Sequence, residues 1–234
     1  MKLKIIFFVL CCSSLMLQSC NTIKGNGNVT LDERPVAEFT NIHVSAGVEV
    51  YLIPGTTNKV VVETDENLQK TIKTNVKNGI LRISREGNVL FASEKNVYVT
   101  YVNLNQVVAS SGAEIKSDDV LKSQELILKA SSGAEIDLEI LSETARMQAS
   151  SGSEIEVQGK AINLYLKTSS GATIDAEDLL AKNVEAQASS GGKIDLSAED
   201  KLNTKASSGG SISYKGTPSL INNKETKSGN VRKK

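Results

Sequence analysis

Several residue types that fill wide protein cores are scarce in this chain. Tryptophan is absent, aromatic residues make up 4% of the sequence, and the phenylalanines after residue 20 are Phe39 and Phe91. Aromatic side chains supply the largest buried areas in most cores. A core of small and branched aliphatic side chains therefore favours thin stacked layers over a wide globular interior.

Histidine and cysteine are also scarce. The one histidine, His43, lies in an alternating apolar run, and the three cysteines are Cys11, Cys12 and Cys20. A histidine-based triad or a typical zinc site is therefore not expected, and His43 is interpreted as a structural residue. No cysteine follows Cys20, so the exported chain is expected to hold together without disulfides.

The chain has no excess of charge of either sign. Residues 1–19 carry Lys2 and Lys4 and no acid, which leaves 25 basic residues against 27 acidic ones in the rest of the sequence. Nucleic-acid binding relies on a strong basic surface. The balance of charge therefore excludes nucleic acid as an expected partner.

The N-terminus predicts export and lipid anchoring. Residues 1–19 combine a basic start, an apolar stretch and a small residue before Cys20, as in a secretory signal peptide. Leu17-Gln18-Ser19-Cys20 resembles the bacterial lipobox, which implies acylation of Cys20 and a membrane as partner. An ordinary signal peptide cut nearby is the alternative. Residues 20–35, rich in glycine and asparagine, are interpreted as a flexible tether.

One seven-residue phrase returns six times from residue 109 onward. Its glycines are 18 to 21 residues apart, a period typical of a solenoid in which each repeat contacts its neighbours. The copies are Ala109–Ile115, Ala130–Ile136, Ala149–Ile155, Thr168–Ile174, Ala188–Ile194 and Ala206–Ile212.

Apolar residues alternate with polar ones on both sides of each phrase, which indicates strands with one inward face. The Ser-Ser-Gly between them predicts a tight corner, because glycine adopts positive φ readily. The corner glycines are Gly112, Gly133, Gly152, Gly171, Gly191 and Gly209. The fold prediction is all-β: a right-handed parallel β-helix, or solenoid, of roughly 19-residue rungs stacked about 4.8 Å apart.

The predicted domain spans residues 36–231, with atypical N-terminal rungs at 36–108, regular repeats at 109–215 and a basic tail at 232–234. Ser45-Ala46-Gly47 is interpreted as a weakened copy of the corner, and Asn78-Gly79 as a turn. Helical spacing at 65–76 predicts one turn of helix. The same spacing at 179–188 is overridden by the repeat and predicts a strand.

These repeats, together with Phe39–Val50, Asn78–Ile83 and Tyr214–Pro218, resemble the head GIN domain family, described as putative auto-transporter adhesins. The resemblance covers about residues 36–231 and implies a right-handed parallel β-helix in a lipoprotein or secreted protein of Bacteroidota. It supplies no catalytic motif to transfer.

Two ladders of carboxylates are the candidate ligand or cation site. The stack would place like charges about 5 Å apart, a repulsion that a hard cation such as Ca²⁺ would relieve. The alternative is a row of solvated acids that keeps the sheet soluble. The ladders are Glu114, Glu135 and Glu154 at one phrase position, and Asp137, Glu156, Asp175 and Asp195 just after the repeated isoleucine.

The leading functional hypothesis is a non-catalytic lipoprotein of the cell envelope that presents a flat face to a glycan or a cell-surface protein. An outer-membrane location is expected, with its periplasmic or surface side and the oligomeric state left open. One alternative is a carbohydrate-active lyase or hydrolase, although the acids follow the repeat and the tyrosines are scattered. Another is a periplasmic structural or envelope-stress component.

Overall fold

The computed structural model describes residues 22–226 and 228–234, so the predicted signal peptide and Cys20 lie outside the described residues. The described residues form strands almost throughout, and they contain one 3₁₀ helix, η1 (Glu66–Thr71), after β5. The strands are β1 (Thr22–Lys24), β2 (Val29–Arg34), β3 (Asn41–Val44), β4 (Glu49–Pro54), β5 (Lys59–Asp65), β6 (Ile72–Lys77), β7 (Ile80–Arg85), β8 (Asn88–Phe91), β9 (Lys95–Tyr101), β10 (Gln106–Ser110), β11 (Glu114–Lys116), β12 (Leu121–Ser131), β13 (Glu135–Ser150), β14 (Glu154–Ser169), β15 (Thr173–Ala176), β16 (Leu179–Ala188), β17 (Lys193–Ser197), β18 (Lys201–Ala206), β19 (Ser211–Lys215), β20 (Leu220–Glu225) and β21 (Asn230–Lys233).

The repeats stack as a parallel β-solenoid, which confirms the predicted architecture. The strand before each corner pairs in register with the equivalent strand of the next rung, as Ala130 does with Ala149 and Ala149 with Thr168. The strand after each corner does the same, as Ile136 does with Ile155 and Ile155 with Ile174. We call the strand segments just before the corners side A and the segments just after them side B.

The repeated isoleucines form the dry interior of the stack. Ile115, Ile136, Ile155, Ile174 and Ile194 are each fully buried in the described structure. Alanines and leucines of side A face them, as the alternating pattern predicts. Burial of this continuous apolar column is the main force that holds the rungs together.

Each Ser-Ser-Gly corner is a tight turn with two left-handed residues. At the corner of β10 and β11, the second serine and the glycine have φ of 54° and 69°. Positive φ at both central positions is the requirement of a type I′ turn. The Gly112 N–H donates to the Ser132 carbonyl of the next rung at 3.1 Å, and the same bond recurs up the stack.

The N-terminal part is more complex than a series of atypical rungs. Side A runs from β7 through β3 to β10, and side B from β9 through β4 to β11, so residues 41–54 lie between two later segments. The weakened corner at Ala46-Gly47 also has positive φ at both residues. Beyond β7 and β9 the order changes to antiparallel, because β6 pairs with β7 and β5 pairs with both β9 and β2.

Two boundaries differ from the sequence-based prediction. The predicted tether at 20–35 contains β1, paired with β8, and β2, paired with β5, so its described part is ordered. The predicted basic tail at 232–234 continues β21, which pairs with β19. Glycine and asparagine in the first segment and lysine in the second do not indicate strands, so the sequence did not reveal this backbone pairing.

Candidate functional site

The predicted acidic ladders exist and form one surface, which we call the acidic face: the outward side chains of side B. Glu114, Glu135 and Glu154 are register partners in adjacent rungs, so they stand about 4.8 Å apart along the stack. The second ladder aligns Asp137, Glu156, Asp175 and Asp195 in the same way.

Repulsion and partial burial perturb the middle of this face. Partial burial, and then the charges of Glu114 and Glu154, raise the pKa of Glu135 above its usual value. Partial burial, and then the charges of Asp137 and Asp175, do the same to the pKa of Glu156. Both carboxylates are therefore harder to ionise in the folded protein.

Lysines form ion pairs at both ends of the predicted ladders. Lys116, the register partner of Asp137, forms an ion pair with Glu114. At the other end, Lys193 Nζ lies 2.5 Å and Lys234 Nζ 2.9 Å from the carboxylate of Asp195, whose side chain is 2% exposed. Burial alone would raise the pKa of Asp195, but the two lysines outweigh it and hold this pKa below its usual value.

No group of three or more histidine, cysteine, aspartate or glutamate side chains in the described part of the chain is arranged to hold a metal ion. The lysine pairs also leave fewer free carboxylate oxygens at the ends of the face than the sequence suggests. Calcium binding therefore stays a prediction.

Sequence reasoning missed the extension of this face toward the N-terminal end. Glu49 is the register partner of Glu114, as its place in the weakened phrase at 45–50 could have indicated. Two residues farther along β4 and β9, Tyr51 and Tyr98 stack with ring centroids 5.4 Å apart. Tyr51 donates to Glu49 at 2.6 Å, and this bond, with burial, raises the pKa of Tyr51 to about 12.

Side A carries the opposite charge on its outward residues, which we call the basic face. One outward column contains lysines that alternate with glutamines from rung to rung over most of its length. The adjacent column contributes Arg146 and Tyr165. The first column is Arg82, His43, Val108, Lys129, Gln148, Lys167, Gln187, Lys205 and Lys224.

A groove of about 430 Å³ crosses the middle of the basic face. Its lining includes Lys129, Arg146, Tyr165, Lys167 and the acid Glu185. The Arg146 guanidinium carbon lies 4.0 Å from the centre of the Tyr165 ring, a cation–π contact that fixes the position of the arginine.

The net charge of zero concealed this face from sequence reasoning. Alternation sends successive residues of a strand to opposite sides, so charge must be counted by column rather than along the chain. When residues are assigned to columns, His43 belongs to the basic column. Arg82 Nη1 lies 3.0 Å from His43 Nδ1. Burial, and then the charges of Arg82 and Lys129, lower the pKa of His43.

Among residues 22–226 and 228–234, no helix has the length and apolar character needed to cross a membrane.

Comparison with known proteins places this architecture in a family. Three solved structures share the fold: a putative adhesin from Bacteroides fragilis (TM-score 0.85, 20% identity, 91% of this chain and 100% of that chain), a putative adhesin from Parabacteroides merdae (0.74, 20%, 91% and 99%), and a putative lipid binding protein from Parabacteroides distasonis (0.71, 20%, 91% and 99%). No curated protein matches the chain. The family model described as "Putative auto-transporter adhesin, head GIN domain" matches residues 38–218. The chain therefore belongs to the head GIN domain family.

Proposed function

We propose that this protein is a lipid-anchored, non-catalytic adhesin of the cell envelope that binds an acidic glycan along its basic face. Membership of a family described as adhesins supports an adhesive role at the envelope or cell surface. The resemblance of residues 17–20 to a bacterial lipobox supports the anchor. The glycan assignment rests on the charge, spacing and shape of the basic face.

The spacing of the lysines carries the proposal. Lys129, Lys167 and Lys205 occupy every second rung of one column, so they recur at intervals of about 10 Å. A sugar residue in an extended glycan is about as long as one rung is high. The column therefore matches a polymer that carries a carboxylate or sulfate on every second sugar.

The groove supplies a fixed contact at the middle of this column. Because the Tyr165 ring holds the Arg146 guanidinium, that group is oriented before a ligand arrives. A guanidinium pairs with a carboxylate or sulfate through two parallel hydrogen bonds. The exposed glutamines between the lysines add uncharged donors and acceptors for sugar hydroxyls.

The test is a binding assay with the mature chain and three glycans: one charged on alternate sugars, one charged on every sugar and one uncharged. Replacing Lys129 and Lys167 together by glutamine should weaken binding to the alternating glycan about tenfold, because two exposed charge pairs contribute about 1 to 2 kcal/mol in total. Replacing Tyr165 by alanine should weaken it further, because Arg146 loses its support.

Lys122 and Lys160 provide a matched control. They also lie two rungs apart in one column, with Leu141 between them, but on the strand segments outside sides A and B. Their double replacement by glutamine removes the same charge and should leave binding unchanged. Equal loss in both double variants would show non-specific attraction and reject the basic face as the site.

A carbohydrate-active enzyme is the second candidate, favoured by the carboxylate pairs of the acidic face. Such an enzyme would shorten an acidic polysaccharide when Ca²⁺ is present, and Asp137→Ala or Glu156→Ala would abolish the cleavage. We expect the chain length of the bound glycan to stay constant.

Adhesion also requires that the ligand can reach the protein. Surface labelling or proteinase treatment of intact cells should modify the anchored protein. Protection from both reagents would favour a periplasmic structural or envelope-stress role.

A further inference from the structure

Residues 22–27, which follow closely after the predicted anchor, are held to the solenoid by a buried carboxylate. Asp65, at the end of β5, is fully buried. Its Oδ1 accepts from the Gly27 N–H at 2.6 Å, and its Oδ2 accepts from the Ser93 N–H at 2.7 Å. The Ser93 hydroxyl adds a third hydrogen bond at 3.1 Å. One side chain thus joins the segment after β1 and the segment after β8 to the antiparallel strands β2, β5 and β6, which we call the cap.

Further contacts clamp the same two segments. Asn67 Nδ2 donates to the Lys24 carbonyl at 2.8 Å, and its Oδ1 accepts from the Asn26 N–H at 3.0 Å. The Gly25 N–H donates to the Phe91 carbonyl at 2.8 Å. A Cβ on Gly25 would lie 2.5 Å from Asp65 Oδ2, so this close approach requires glycine. The pair β1–β8 therefore has a defined position on the domain.

The clamped pair exposes two large apolar side chains. Leu90 is 76% exposed and Phe91 is 55% exposed, the former being the most exposed large apolar residue of the described structure. Lys24, the register partner of Phe91, is exposed beside them. A cation next to protruding apolar groups suits the boundary between the headgroups and acyl chains of an anionic bilayer.

The covalent chain fixes how far this pair can be from the anchor. Two peptide units separate Cys20 from Thr22, which limits the distance between their Cα atoms to about 7 Å. Thr22 is the register partner of Asn88, two residues before Leu90. Acyl chains on Cys20 would therefore bring Leu90 and Phe91 to the bilayer surface.

We propose that Leu90 and Phe91 form a membrane-contacting tip that inserts into the bilayer in which Cys20 is anchored. This inference rests on the lipid anchor proposed above and assigns the partner of the tip as the lipid surface. The solenoid is then held against the membrane by its capped end rather than suspended on a tether.

The natural absence of tryptophan gives a direct test. In the full chain carrying Phe91→Trp, the new residue is the single tryptophan. Acylated protein purified from membranes is placed in vesicles of phosphatidylethanolamine and phosphatidylglycerol. We expect the emission of this tryptophan to shift to shorter wavelength and to be quenched by brominated lipids.

Leu220→Trp is the matched control. Leu220 is 64% exposed and begins β20, in the last rung of side A at the other end of the stack. Its tryptophan should keep the emission of the chain in solution. An unquenched tryptophan at position 91, or equal quenching at both positions, would overturn the proposal that the tip inserts into the bilayer.

A chemical anchor distinguishes two negative outcomes: that the tip does not insert into the bilayer, and that Cys20 is not acylated in cells. Cys20 is the one cysteine of the mature chain, so its thiol can be coupled to a maleimide lipid in the same vesicles. Quenching at position 91 in the coupled protein supports the tip whether or not cells acylate Cys20. The mass of Cys20-containing peptides from cell membranes tests acylation independently.

Discussion

At the scale of the residue, the position after each Ser-Ser-Gly corner changes along the stack. It is alanine at 113, 134 and 172, serine at 153, and glycine at 192 and 210, and all of these residues are buried. A Cβ at Gly210 would lie 2.4 Å from the backbone oxygen of Ala188 in the preceding rung. The later rungs therefore approach too closely for any side chain at this position.

Replacing Gly210 by alanine should lower the free energy of unfolding by about 1 to 3 kcal/mol, because backbone atoms must move to admit the methyl group. Ala134→Ser is the control, since Ser153 occupies the same position one rung later and donates to the Ser150 carbonyl at 2.8 Å. It should change stability by less than about 0.5 kcal/mol. Urea denaturation of both variants measures the difference, and similar midpoints would contradict the close approach.

Asp195 is the ladder residue most dependent on its partners. Its side chain is almost fully buried between Lys193 and Lys234. Because folding lowers the pKa of Asp195, its contribution to stability is complete above the pKa of this carboxyl in the unfolded chain, about 3.9. The contribution is lost as the pH falls through the folded pKa.

Asp195→Asn should thus lower stability at pH 7 by about 1 to 3 kcal/mol and reduce the loss of stability toward acid pH. Asp137→Asn, an exposed position in the same ladder, should do neither in thermal unfolding followed from pH 2 to 7.

At the scale of the element, we expect the position of the β1–β8 pair to depend on Asp65. Asp65→Ala removes the acceptor of three donors, two of them backbone N–H groups. Hydrogen exchange should then accelerate at residues 22–28 and 88–93, with the later rungs still protected. Asp32→Ala, which breaks an exposed ion pair with Arg34 in β2, should leave both segments unchanged. Unchanged exchange in the Asp65 variant would show that other contacts hold the pair.

The elements that the sequence could predict are those that belong to the repeats. The inward isoleucines, the corner glycines, and the strand at 179–188 despite its helical spacing follow from register with the other copies. One turn of helix at 65–76 is present as η1. The left-handed second serine of each corner was missed, because serine seldom adopts positive φ and no local signal marks it. The antiparallel cap and β1 were missed because their partners are distant in sequence and their residues are mostly polar.

At the scale of the whole molecule, stability should respond to ionic strength through the acidic face. Glu135 and Glu156 have raised pKa values, so the folded state binds more protons than the unfolded chain between the unfolded pKa, about 4.3, and the folded one. Stability therefore falls as the pH rises through that window and stays lower at neutral pH. Added NaCl should raise the melting temperature at pH 7 by screening the repulsion, and should have less effect below pH 4.

The same measurement tests the calcium hypothesis for the ladders. A bound Ca²⁺ would raise the melting temperature more than NaCl at equal ionic strength, because specific binding to the folded state adds to screening. The double variant Glu135→Gln with Glu156→Gln should abolish that excess and be more stable than the natural chain at low salt. Equal effects of the two salts would reject the cation site.

The acidic and basic faces meet along the column of Ser-Ser-Gly corners. A nearly neutral molecule built in this way carries an electric dipole across its long axis. Near an anionic polymer the protein would rotate about that axis until the lysine column faces the polymer. At physiological salt this rotation would occur only when the two surfaces are within about 8 Å of each other. The charge pattern thus orients the protein at short range toward a polymer that it binds. Its low net charge gives no long-range attraction to the other polyanions around it.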